Sequence, residues 1–96
     1  MPDTNPTFTV SHNAAHHRFE VKLEGHVAVA EYTLSGSVMT LTHTVVHPAL
    51  EGRGIAGALA KAAMAHARAE KLKIDPQCPY MRAWMERHPE TQDLHV

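Results

Sequence analysis

Apolar and polar residues alternate along the first half of the chain. In Arg18 to Leu23, the side chains of Phe19, Val21 and Leu23 fall on one face and those of Arg18, Glu20 and Lys22 on the other. This period of two is that of a half-buried strand. Glu24-Gly25-His26 reads as a turn and Val27 to Leu34 as a second strand. Ser35-Gly36-Ser37 reads as the next turn. Val38 to Val46, β-branched and rich in Thr, reads as a third strand stopped by Pro48. Short turns between successive strands predict an antiparallel meander. Residues 1 to about 15 hold Pro2 and Pro6 among scattered polar residues and read as a loose leading segment.

After Pro48 the period changes. From about Gly52 to Glu70 the chain is dominated by Ala, the best helix former, with Ile55 and Leu59 one turn apart. At about 100° per residue, Ile55, Leu59, Ala62, Ala63 and His66 share the side expected to pack on the sheet. Gly57, Lys61, Arg68 and Lys71 lie opposite. Leu72 to Asp75 predicts a short fourth strand. Pro79 to His88 predicts a second helix, with Tyr80, Trp84 and His88 four apart and Pro89 beyond its end. The predicted order is β-β-β-α-β-α, an α/β fold in which two helices pack on the sheet.

Composition narrows the possibilities. The 96 residues are enough for one domain spanning 1–96, and 44% apolar with 20% charged residues is ordinary globular usage. A formal net charge of -1 offers no basic field for nucleic acid. The apolar stretch Ile55 to Ala69 is broken by Lys61, His66 and Arg68, so no membrane span is expected. Cys78 is the only cysteine, which excludes an intrachain disulfide. The first residues lack the basic-then-apolar pattern of a secretory signal, and a cytoplasmic protein is the expectation.

The strongest chemical signal is Gly52-Arg53-Gly54-Ile55-Ala56 at the predicted start of the first helix. Free backbone N–H groups at a helix N-terminus bind phosphate oxygens, and glycines let the ligand approach the backbone closely. Arg53 would add a formal positive charge. Gly52, Gly54 and Gly57 also spell G-x-G-x-x-G, with Asp75 placed as a ribose ligand would be in a dinucleotide-binding unit. Against that, Pro48-Ala49-Leu50-Glu51 separate the strand from the first glycine. Too little chain also remains for further parallel strands.

The strand THTVVHP followed by ALEGRGIAGALAKAAMAHAR resembles the strand, pyrophosphate loop and helix of the GNAT acetyltransferases. Gly54 and Ala56 match the last two fixed positions of that family's Q/R-x-x-G-x-G/A loop, while Glu51 stands where Gln or Arg is usual. The run IDPQCPYMRAWMERHPETQDL further resembles a group of very short, stand-alone GNAT-like proteins. By pattern the resemblance covers roughly residues 18 to 94. It implies acetyl-CoA as cosubstrate, held by Gly52, Arg53, Gly54, Ile55 and Ala56. It also implies that the backbone of Val45 and Val46 pairs with the pantetheine arm. Lys61, beyond the loop on a cationic stripe with Arg68 and Lys71, is a candidate for the 3′-phosphate. The chain lacks the additional N-terminal helices, the strands after the second helix, and the Tyr-x-x-x-Gly-Phe segment of longer members. Acceptor recognition and the usual tyrosine acid therefore do not carry over.

Three residues are candidates for chemistry. Pro79 suits the first helical position, which makes Cys78 the N-cap, where a helix terminus favours thiolate. The same cysteine would equally serve as a small buried cap. His43, mid-strand in THT, is a candidate base for the acceptor ammonium, or a half-buried sheet histidine. Tyr80 is a candidate acid for the departing CoA thiolate, or a packing residue. His43 and His47 stand four apart on a strand, roughly 13 Å at 3.3 Å per residue, too far to share a metal ion. His66 reads as a satisfied core residue. The expected function is transfer of acetyl from acetyl-CoA to an amine by direct attack, with a relay through Cys78 as a variant. A non-catalytic acyl-CoA-binding module and a plain interaction domain are the alternatives.

Overall fold

The structure is a computed structural model that describes residues 8–96. Five strands form one sheet in chain order: β1 (Ser11–Asn13), β2 (Arg18–Leu23), β3 (His26–Ser35), β4 (Val38–Val45) and β5 (Lys73–Pro76). β1 to β4 pair antiparallel, as short turns require, and β5 pairs parallel to β4. The crossover between β4 and β5 contains helix α1 (Ile55–Ala69), and α2 (Pro79–Glu86) follows β5. Single 3₁₀ turns span Ala14–His16, Pro48–Leu50 and Pro89–Leu94, and His95 makes a parallel bridge with Ile74.

The α/β class and the predicted β-β-β-α-β-α order are present, with one strand added ahead of them. β1 falls in the segment expected to be loose; the part of that segment before residue 8 lies outside the described residues. Nothing in Ser-His-Asn alternates. The strand exists because His12 stacks on Phe19 at 4.4 Å and meets the Tyr32 hydroxyl at 2.6 Å. Desolvation first, then the charges of His66 and His17, hold His12 below the ordinary histidine pKa.

Phe19, Val21, Ala28, Ala30, Tyr32, Met39, Leu41 and Ile74 bury the inner face of the sheet against α1, α2 and the last 3₁₀ turn. Within α1 the buried stripe is Ile55, Leu59, Ala60, Ala63, Met64 and Ala67, and Ala62 and His66 lie at its half-buried margin. Three alanines in that stripe allow the helix to approach the strands closely, so bulk comes from Ile55, Leu59 and Met64. The outer face of the sheet carries Arg18, Glu20, Lys22, Glu31, His43 and Val45. Glu20 is nonetheless only 6% exposed, pinned by Arg18 at 2.8 Å, Asn13 at 3.4 Å and Lys22 at 3.7 Å. The Arg18 hydrogen bond holds its carboxyl below the usual carboxylate range.

The pairing of β4 with β3 shifts register. Tyr32 pairs with Leu41 but Glu31 pairs with His43, so Thr42 is an extra residue. Such a bulge switches which face the following side chains occupy. Thr44, level with Ala30, therefore stands on the helix side. His43 and Val45 turn to the outer face.

Candidate active site

The parallel pairing of β4 with β5 ends at Leu41 and Pro76. Cys78 N–H still donates to the Leu41 carbonyl at 2.9 Å, and the chain then turns into α2 with Pro79 in the first turn. β4 runs on to Val45 paired only with β3. The two elements part, and between them opens a cleft of ≈ 520 Å³ lined by Thr44, Val45, Val46, Leu50, Glu51, Gly52, Gly54, Ile55, Ala56, Gly57 and Tyr80.

The floor is a loop anchored at one end by Leu50, which is fully buried. It begins at His47, whose Nδ1 accepts the Ala49 N–H at 3.0 Å, and reaches α1 through Gly52 at φ 81° and Gly54 at φ 76°. Both angles lie in the left-handed region, which glycine enters without steric cost. A Cβ at either position would meet no protein atom within 4 Å, so backbone conformation, not crowding, is what requires glycine here. They also delay α1: the helix expected from about Gly52 starts at Ile55. Gly54 occupies the N-cap with no side chain to bond the first helical amides. The N–H groups of Ile55, Ala56 and Gly57 have no intrahelical acceptor and border the cleft. An anion would be bound there by backbone donors and the helix dipole. Among the described residues, Glu51 is the charged side chain of the lining.

Of the sequence candidates, the cleft gathers Val45, Val46, Gly52, Gly54, Ile55, Ala56 and Tyr80. Burial pushes the Tyr80 phenol up, with Arg87 acting in the opposite sense, so Tyr80 holds its proton. Four candidates lie elsewhere. His43 is outside the lining because the bulge turns it outward, where 70% of its side chain is exposed and Nδ1 lies 3.7 Å from Glu31. Arg53 is drawn to the β2–β3 turn, donating to both Glu24 carboxylate oxygens at 2.8 and 3.0 Å. Lys61 lies with Arg53, Phe8 and Trp84 along a second groove on the far side of Gly54 and Gly57. Cys78 is the N-cap of α2, as expected, but makes no cap hydrogen bond and is 5% exposed. Its Sγ lies 3.3 Å from Thr44 Oγ1. Thr44 lines the cleft and Cys78 does not. Sequence reasoning missed Thr44, Leu50 and Gly57, of which Gly57 alone carried a signal, being the third glycine of the loop pattern.

A split parallel strand pair with a glycine loop and a helix N-terminus beneath it defines the chain's class. Residues 18–94 match the family model of the GCN5-related N-acetyl-transferases, and the chain belongs to that family. It is 37% identical over 95 residues to Protein NATD1 of Xenopus tropicalis, covering 96% of this chain and 87% of that one. It is 38% identical over 88 residues to Protein NATD1 of Homo sapiens, covering 88% and 78%. Among solved structures, a GCN5-like protein from Staphylococcus aureus superposes with a TM-score of 0.72 at 25% identity, over 98% of this chain and 91% of that one.

Proposed function

We propose that the cleft binds acetyl-CoA and that the protein transfers its acetyl group to an amine. One observation carries this reading: the uncapped amides of Ile55, Ala56 and Gly57 border the same cleft as the freed end of β4. A pyrophosphate on the amides would direct the pantetheine arm along Val45 and Val46, with the thioester toward Thr44 and Tyr80. There a neutral amine attacks the carbonyl carbon, a C–N bond forms as the C–S bond breaks, and the nitrogen gives up its proton to water. Tyr80, which holds its proton, is the lining side chain that would protonate the leaving thiolate. With Glu51 lining the cleft and no cation there among the described residues, affinity would rest on backbone donors.

A second reading, an acyl-CoA-binding module without turnover, is favoured by the placement of His43 and Cys78. Neither reaches the lining, so Glu51 and Tyr80 are its titratable side chains. Calorimetric titration with acetyl-CoA, beside CoA and NAD, tests the cosubstrate. Saturable acetyl-CoA binding without NAD binding is expected, and a folded protein that binds no CoA would end both readings. Turnover over a panel of amines then separates enzyme from binding module.

A further inference from the structure

The β2–β3 turn touches the glycine loop at two places that the proposed binding site does not use. Glu24, at φ 53°, forms a bidentate pair with Arg53 inside the loop. His26, two residues on, stacks on His47 at a centroid distance of 3.9 Å and 21° between the rings. His47 is where the loop begins, and its Nδ1 receives the Ala49 amide. Arg53 also leans back on the Ala49 carbonyl at 3.5 Å. The arch from His47 to Arg53 is therefore gripped at both ends by one hairpin turn. Between those grips lies Gly52, and just beyond them Gly54, the residues with the greatest conformational freedom to lose.

We infer that Glu24 and His26 are positioning residues that hold the loop in its anion-binding shape, and that Arg53 serves as the tether of this brace and not as a phosphate ligand. The inference rests on the proposed binding of acetyl-CoA for its consequence, since an ordered loop lowers the entropy cost of binding. It does not rest on it for its physical basis, because the contacts are made within the protein alone. A bidentate guanidinium–carboxylate pair fixes both distance and plane, which a lysine or a single contact would not. Both partners are partly exposed, so the effect is modest in size and specific in place.

The test compares the wild-type protein with Glu24→Gln, Arg53→Gln and the double variant. Glu24→Gln keeps the shape and the turn and removes the charge. Amide hydrogen exchange at Ala49, Leu50 and Glu51, whose N–H groups donate to His47 and Pro48 within the arch, is measured by NMR without ligand. Affinity is measured for acetyl-CoA and for acetyl-pantetheine, which lacks the pyrophosphate. Each single variant should speed exchange at the three loop amides and weaken acetyl-CoA binding roughly three- to tenfold. The double variant should do no more than either single one, and acetyl-pantetheine affinity should not move. A merely structural lesion would lower both affinities together. Wild-type exchange and affinity in Glu24→Gln would overturn the brace, as would tighter acetyl-CoA binding, which would mean that Glu24 competes with phosphate for Arg53. Should the wild-type protein bind no acetyl-CoA, the functional reading fails, and the exchange rates still decide the brace.

Discussion

Alanine at Gly54 and alanine at Gly57 should change stability in opposite directions, although the substitutions are chemically the same and three residues apart. At Gly54 the added methyl meets nothing within 4 Å, so packing contributes no penalty. The backbone does, because φ is 76° and ψ 14°. Placing a residue with a Cβ in the left-handed region costs about 1–2 kcal/mol. At Gly57 the backbone is helical, and the methyl would lie 3.9 Å from the Tyr80 hydroxyl and 4.0 Å from Trp84 Nε1, ordinary contact distances. Alanine there should gain about 0.5–1 kcal/mol, the usual helix-interior difference from glycine. With a urea m-value of about 1–3 kcal/mol/M, Gly54→Ala should lower the midpoint by roughly 0.3–2 M and Gly57→Ala should raise it. Unfolding is best followed by circular dichroism, since the Gly57 methyl would perturb Trp84 fluorescence directly. A Gly54→Ala midpoint equal to or above that of wild type would refute the reasoning, because it would mean that Gly54 is not held at positive φ in solution.

Further expectations concern the core, the thiol and pH. Leu59→Ala removes a fully buried side chain between α1 and the sheet and should cost about 2–5 kcal/mol, read as a loss of thermal midpoint. A change under 1 kcal/mol would mean that α1 does not pack as described. Under direct attack by the amine, Cys78→Ala should keep turnover within about twofold while lowering stability by about 1 kcal/mol; a hundredfold loss of turnover with intact binding would instead identify a relay through the thiol. His12 is held below its ordinary pKa in the fold, so between that lowered value and about 6.5 the unfolded chain binds more protons. Its contribution to stability is therefore whole above about pH 6.5 and declines as pH falls through that window. Urea midpoints at pH 7.5 and pH 5 should differ less in His12→Gln than in wild type, and an equal difference would exclude His12 as a source.

Strands β2, β3 and β4 were legible because Phe19, Val21, Ala28, Ala30, Tyr32, Met39 and Leu41 repeat with a period of two on a face that packs. α1 was legible from its alanines and the Ile55–Leu59 pair, and Ile55, Leu59 and Ala63 were placed on its buried side, but the rest of the stripe was not. Helices and turns on one flank extend burial to Ala60, Met64 and Ala67, and no local period announces where a neighbour will sit. β1 was hidden because its stabilising contacts, to Phe19, Tyr32 and His66, come from elsewhere in the chain. In the site, the glycine loop was visible in sequence since positive φ selects glycine. The outward turn of His43 depends on a one-residue mismatch between two strands, which neither strand records alone. The capture of Arg53 by Glu24 joins residues 29 apart in sequence and needed the folded turn to be seen.

Neighbouring strands in this sheet are also neighbours in sequence, and four of the five strands are joined by short connections. Local pairing closes small loops and is fast; the parallel pair must wait for the whole α1 crossover. We expect the meander from β1 to β4 to form early in folding and β5 with α2 to dock late. The cleft needs the end of β4 and the start of α2 together, so it would be among the last parts completed and the first to open. Native-state hydrogen exchange under mild denaturant would show this as weaker protection of β5 and α2 amides than of β3, whereas uniform protection would mean that the molecule opens only as a whole.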